Sequence, residues 1–187
     1  MWTNVIKAET GCILVSEPFL KDFYFKRSVV LLADHNDDGS FGMIINKPIK
    51  IHLSDVTSEF PDFDPQVYIG GPVKSDSLFV MHRLGDLIPN SIKILKGLYW
   101  GGDMAVIKEM IRRGEIKEED IRFYIGYAGW APKQLDQELD ENAWVVVRSD
   151  ANKLIKTDPE VLWADICKEL GDEFAQWVNY PLDPSEN

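Results

Sequence analysis

Asp34, His35 and, seven residues earlier, Ser28 are the parts of a charge-relay hydrolase gathered on one stretch of sequence. The stretch reads as a strand, however, and neighbours on a strand point to opposite faces. Asp34 therefore cannot orient the His35 ring, and the chain has no G-x-S-x-G elbow to present a serine. His35 and His82 each close an apolar run. An imidazole placed there either hydrogen-bonds at the sheet rim or acts as a general base within about 3 Å of a nucleophile or water. They are the weak catalytic candidates, with the structural role favoured for both. His52 follows no such pattern and belongs on the surface.

Asp34-His35-Asn36-Asp37-Asp38-Gly39 has the D-x-N-x-D-G opening of a calcium loop. Position twelve, where a bidentate Glu is required, is Ile45, and the flanks read as strands, so a hairpin turn accounts for every residue. Gly70-Gly71-Pro72 and Gly101-Gly102-Asp103 resemble phosphate-cradling loops but lack the G-x-x-x-x-G-K-[ST] spacing; tight turns explain them better. Cys12 and Cys167 have no zinc-type spacing and read as buried reduced thiols. No metal and no cofactor are expected.

The polar residues hardest to dismiss are Arg27, Asn46, Gln134 and Glu138, taken with Trp130 and Trp144. Arg27 opens a buried strand and Asn46 closes its hairpin partner, so the two fall at one end. Gln134 and Glu138 share a helical face, from which Glu138 can pair with Arg27 or satisfy buried backbone. The six either form an internal polar network or line a small-molecule or partner cleft beside an exposed Trp130.

The elements that must position them centre on 122–147. Phe123, Ile125 and Tyr127 alternate as a strand, Gly129 breaks the run, and Pro132 opens a short helix striped by Leu135 and Leu139. Asn142 ends the helix, and 143–147 is a short buried strand. Elsewhere, 12–17, 27–35, 41–46, 67–70, 78–83 and 92–95 read as strands. Segment 19–26 reads as a Phe-rich turn or loop, and 53–60 as a helix capped by Ser54. Asp103 caps a helix that runs to Arg113 and stops at Gly114. Lys153–Lys156 reads as an edge strand, Asp158-Pro159 opens the last long helix, and 180–187 reads as a frayed tail. Strands and helices mix without βαβ alternation, giving an α+β chain in a single domain, 1–187.

The net charge is −11, and nine of those excess negative charges lie from Asp136 onward. With no basic stripe, direct nucleic-acid binding is disfavoured. No stretch approaches a membrane span and the N-terminus has no signal-like apolar core, so a soluble protein with no membrane role is expected.

The pattern G-Y-A-G-W-x-P-x-Q-L-x-x-E-L-x-x-x-x-W from Gly126 to Trp144 resembles the signature of the bacterial AlgH/YqgE family. Segments 11–27, 27–48 and 68–82 extend the resemblance over nearly the whole chain. It implies a cytoplasmic protein and a mixed, mainly antiparallel sheet that bends into a small barrel-like core with flanking helices. The family name carries a suggestion of transcriptional regulation, but no biochemical activity defines the family. One departure is Lys133, where the family usually has Gly. The favoured reading is a non-catalytic binding or regulatory module, taken as a monomer, whose partner is a small molecule or a protein. A hydrolase using His35 or His82 as base is the alternative, and a regulator contacting DNA is a weaker one.

Overall fold

Turn chemistry and alternation lay down the strands. In the computed structural model, which describes residues 3–4, 7–60 and 62–181, the Asn36–Gly39 turn joins two strands of a hairpin. In chain order the strands and first helices are β1 (Thr3–Asn4), β2 (Ile13–Ser16), β3 (Val29–Asn36), β4 (Gly39–Ile44), β5 (Pro48–His52), α1 (Leu53–Val56), β6 (Gln66–Ile69) and β7 (Val73–His82). There follow β8 (Ser91–Leu95), β9 (Leu98–Gly101), α2 (Met104–Arg112), β10 (Ile121–Trp130), α3 (Gln134–Asp140), β11 (Trp144–Arg148), α4 (Ala151–Lys156), α5 (Pro159–Leu170) and α6 (Asp172–Ala175).

The sheet runs β1-β11-β2-β3-β4-β10-β7-β9-β8, with β6 joined in parallel to β10 and β5 paired to β6. The remaining pairs are antiparallel, so the α+β, mixed and mainly antiparallel expectation holds. The barrel does not close: β1 and β8 end the path without pairing to each other. The sheet nevertheless folds over its own inner face. Ile94 and Leu98 from one end share a core with Ile13, Val29 and Leu31 from the other, and Leu162, Trp163 and Ile166 of α5 belong to the same cluster.

β10 organises this arrangement. Its first half pairs with β7 on one side and β6 on the other, and its second half pairs with β4. Gly126 sits at the change of partners with φ +69°, where a Cβ would lie 2.3 Å from the Gly71 carbonyl oxygen. The strand does not stop at Gly129, as the sequence suggests, but continues to Trp130. Pairing with Phe41 of β4 keeps Gly129 in the strand.

Several local readings change. Residues 153–156 lie in helix α4, capped by Asp150, rather than in an edge strand; Ala151 and Leu154, three apart, supply its buried side. The caps of α2 and α5 are Asp103 and Asp158, as expected. α1 covers only four residues, and Asp55, not Ser54, answers its first donor by accepting from the His52 N–H. β5 and β9 are short and were not legible as strands. Tyr180 is not frayed: its carbonyl accepts from Arg27 and its ring meets Phe19 at 5.0 Å. Residues 182–187 lie outside the described residues. No helix among those described is long and apolar enough to cross a membrane.

Candidate functional site

Four of the six expected site residues come together. β10 ends in Trp130, α3 presents Gln134 and Glu138 one turn apart, and β11 begins with Trp144. Glu138 Oε2 accepts from both indoles, Trp130 Nε1 at 2.9 Å and Trp144 Nε1 at 2.8 Å, while Oε1 accepts from Gln134 Nε2 at 2.9 Å. Gln134 Oε1 in turn accepts from the Ala131 N–H at 3.0 Å. Three donors on one carboxylate form charge-assisted bonds that fix the corner between strand and helix. The indoles meet edge to face at 6.0 Å, and Phe25 fills the remaining side, stacked on Trp130 and edge-on to Trp144. Trp130 is 6% exposed, so its indole does not face open space. The Phe-rich segment 19–26, whose role the sequence left open, supplies the plug.

Arg27 and Asn46 serve a different structure. Asn46 Oδ1 accepts from the Val29 N–H at 2.8 Å and its Nδ2 donates to the Arg27 carbonyl at 3.0 Å, tying the open end of the β3–β4 hairpin. The Arg27 guanidinium lies 4.9 Å over the Trp163 ring and donates to Tyr180, so it does not pair with Glu138. These contacts come from the far end of the chain, which spacing alone does not reveal.

The histidines differ. His82 is buried: the Leu84 N–H donates to its Nδ1 at 3.2 Å, and Nε2 donates to Ser91 Oγ at 2.9 Å, which donates onward to the Ile88 carbonyl at 2.7 Å. Burial lowers its pKa, as expected for a neutral ring held in a fixed tautomer. His35 Nδ1 lies 2.7 Å from Ser40 Oγ, and Asp136 Oδ1 is 3.9 Å from Nε2. Neither Ser40 nor Asp136 was singled out from the sequence. Ser28 is fully buried at the opposite end of the hairpin and faces no histidine. His52 is exposed, and the Asp64 carbonyl beside it raises its pKa. Burial pushes the Cys167 thiol up to about 12, so it is inert.

Register decides which groups share a surface. Asp34, Phe41 and Gly129 are aligned across β3, β4 and β10, and His35, Ser40 and Trp130 form the next row. Adjacent rows face opposite sides. His35 thus lies on the α3 side with the indole corner. On the other side is a cleft of about 400 Å3, bordered by Asp34, Asn36, Asp38, Phe41, Val73 and Tyr127 and reaching Gly39, Ser40, Gly129 and Trp130. The signal for it was available in the alternation of Phe41 and Tyr127, but only the strand pairing joins them.

A family model described as AlgH-like matches residues 13–175. The chain belongs to the AlgH-like family. A protein from Bacteroides thetaiotaomicron, carried only as a UPF0301 protein, is 42% identical over 186 residues, covering 99% of this chain and 94% of the relative. One from Cytophaga hutchinsonii is 38% identical over 178 residues, covering 95% and 98%. The solution structure of AlgH from Pseudomonas aeruginosa superposes with a TM-score of 0.71 at 29% identity, covering 92% of this chain and 94% of that one. A Corynebacterium diphtheriae crystal structure gives 0.74 at 22% identity, covering 93% of each. In this AlgH-like chain the Gly126–Trp144 pattern builds the Glu138 corner. Lys133, where the resemblance implies Gly, has φ +64°, a left-handed conformation that favours glycine, and its side chain is exposed.

Proposed function

We propose that this AlgH-like chain is a non-catalytic recognition module of the cytoplasm, and that the cleft on the Phe41–Tyr127 face is its ligand-facing surface. The observation that carries the reading is the cleft itself: about 400 Å3 beside the β3–β4 turn, lined by Phe41, Val73 and Tyr127 with Asp34, Asn36 and Asp38 as its polar groups. Apolar walls with a few polar groups are the usual composition of a small-ligand pocket. The indole corner supports the sheet from the other side, since Glu138 spends its lone pairs on internal donors. A role in contacting DNA gains no support from a net charge of −11.

A fragment screen read by amide shifts in two-dimensional NMR spectra tests this. Hits should move Phe41, Tyr127 and Gly129. Gly129→Leu should abolish them, since a Cβ there already meets Tyr127 and Val73 at 3.4 Å, and the melting temperature of the variant separates a blocked cleft from unfolding. Hits clustering elsewhere and indifferent to Gly129→Leu would overturn the reading.

One observation favours the hydrolase reading: the 2.7 Å contact between His35 Nδ1 and Ser40, with Asp136 on the ring's other nitrogen. Against it, His35 and Ser40 are cross-strand neighbours in a hairpin, only Ser40 of the two borders the cleft, and Asp136 is 62% exposed. Turnover of p-nitrophenyl acetate that is lost in both Ser40→Ala and His35→Ala would promote it.

A further inference from the structure

We propose that the cleft selects an organic cation, an alkylammonium or guanidinium group; this rests on the cleft being the binding surface. Two rings line it, Phe41 and Tyr127, which meet at 6.1 Å and 77°. Behind them Phe79 meets Tyr127 at 5.6 Å and 87°, and Trp100 stacks on Phe79 at 5.2 Å while touching Phe41 at 6.1 Å. Rings held mainly edge to face by one another are fixed in place, and the electron-rich face of such a ring attracts a cation.

The rim supplies the matching charge. Asp34 Oδ1 accepts from the His35 N–H at 2.9 Å and Oδ2 from Asn36 Nδ2 at 2.9 Å, and Asn36 Oδ1 accepts from the Asp38 N–H at 2.8 Å. These donors are neutral. They hold the carboxylate of Asp34 in place without neutralising it, and among the described residues the ion pairs leave Asp34 and Asp38 unmatched by Lys or Arg. Among the described residues, no basic side chain borders the cleft.

Size and donor set narrow the ligand. A calcium ion needs six to eight oxygens converging at about 2.3–2.6 Å, and no metal-holding group of three or more His, Cys, Asp or Glu occurs among the described residues. A phosphate or carboxylate ligand would meet Asp34 and Asp38 with like charge. A cation with a bulky apolar surround satisfies both the rings and the rim.

A matched pair of probes tests this on the intact protein: choline and its neutral isostere 3,3-dimethyl-1-butanol, followed by amide shifts of Phe41, Gly129 and Tyr127 and by the Trp100 indole signal. Choline should bind at least about tenfold more tightly than the isostere, and Asp34→Asn with Asp38→Asn should erase that preference at a temperature well below the double variant's own melting point. N-acetylarginine amide, free and embedded in a ten-residue neutral peptide, separates the sources: a tighter peptide points to a side chain of a protein partner, equal affinity to a free small cation. Equal binding of choline and isostere overturns the cation selectivity yet leaves the cleft a binding site. Neutral fragments at the cleft with no cation binding there overturn it likewise. Fragments and cations that both ignore the cleft overturn this inference and the binding reading together.

Discussion

Glu138 is one carboxylate with two indoles and an amide on it, and its neutral isostere makes the informative change. In Glu138→Gln one oxygen becomes a donor that faces other donors, leaving at least one buried N–H unanswered. The expected loss is about 1–3 kcal/mol in urea unfolding; an unchanged midpoint would show that the corner does not depend on the charge. Lys133 sits in the left-handed region at φ +64° with its side chain in solvent. Lys133→Gly should therefore raise stability by about 0.5–1 kcal/mol, the strain relieved exceeding the entropy glycine adds to the unfolded chain; a lower midpoint would contradict this. His82 sets a pH dependence. Burial holds its pKa below the ordinary 6.5, so the unfolded state takes up a proton more readily than the folded one. The stability of the neutral ring is complete above about pH 6.5 and is lost as pH falls through the lower folded value. Melting temperature should drop on acidification from pH 7 to 5, and His82→Gln should flatten that slope. Fully exposed His52 works in the opposite sense and is screened by solvent.

At the scale of elements, β10 carries two neighbourhoods on ten residues, and Gly126 is where it changes from one to the other. Two glycines of nearly equal φ separate steric from torsional cost. Gly126 at +69° would put a Cβ 2.3 Å from backbone, whereas Gly114 at +71° has nothing within 4 Å. Gly114→Ala should cost about 1 kcal/mol through the dihedral alone. Gly126→Ala should cost about 3 kcal/mol or more, since two strands must separate to admit it. Similar losses at both positions, measured by urea unfolding, would mean that the sheet yields around Gly126.

For the whole molecule, the inner core takes residues from both ends of the strand path, so neither half of the sheet buries its face without the other. Unfolding should be one transition, with far-ultraviolet dichroism and tryptophan fluorescence coinciding. Separate transitions, or a stable proteolytic fragment ending near residue 100, would show that the two ends fold independently.

The sequence by itself determined the elements whose causes are local: the Asn36–Gly39 turn, the Asp103 and Asp158 caps, and the alternation of Phe123, Ile125 and Tyr127. Each depends on neighbours a few residues away, so spacing is enough to read it. It also placed Trp130, Gln134, Glu138 and Trp144 together, because all four lie within fifteen residues of one strand–helix–strand unit. Short elements escaped it. β9 has four residues, too few for a period to register, and residues 153–156 took the helical state because Ala151 and Leu154 had a core to cover. Tertiary structure alone decided the partners of Arg27, which lie 136 residues away at Trp163 and 153 away at Tyr180. It alone joined Phe41 to Tyr127. A strand's two faces are fixed by its own alternation, but which face meets which neighbour depends on pairing, and pairing brings together residues whose separation in sequence carries no signal.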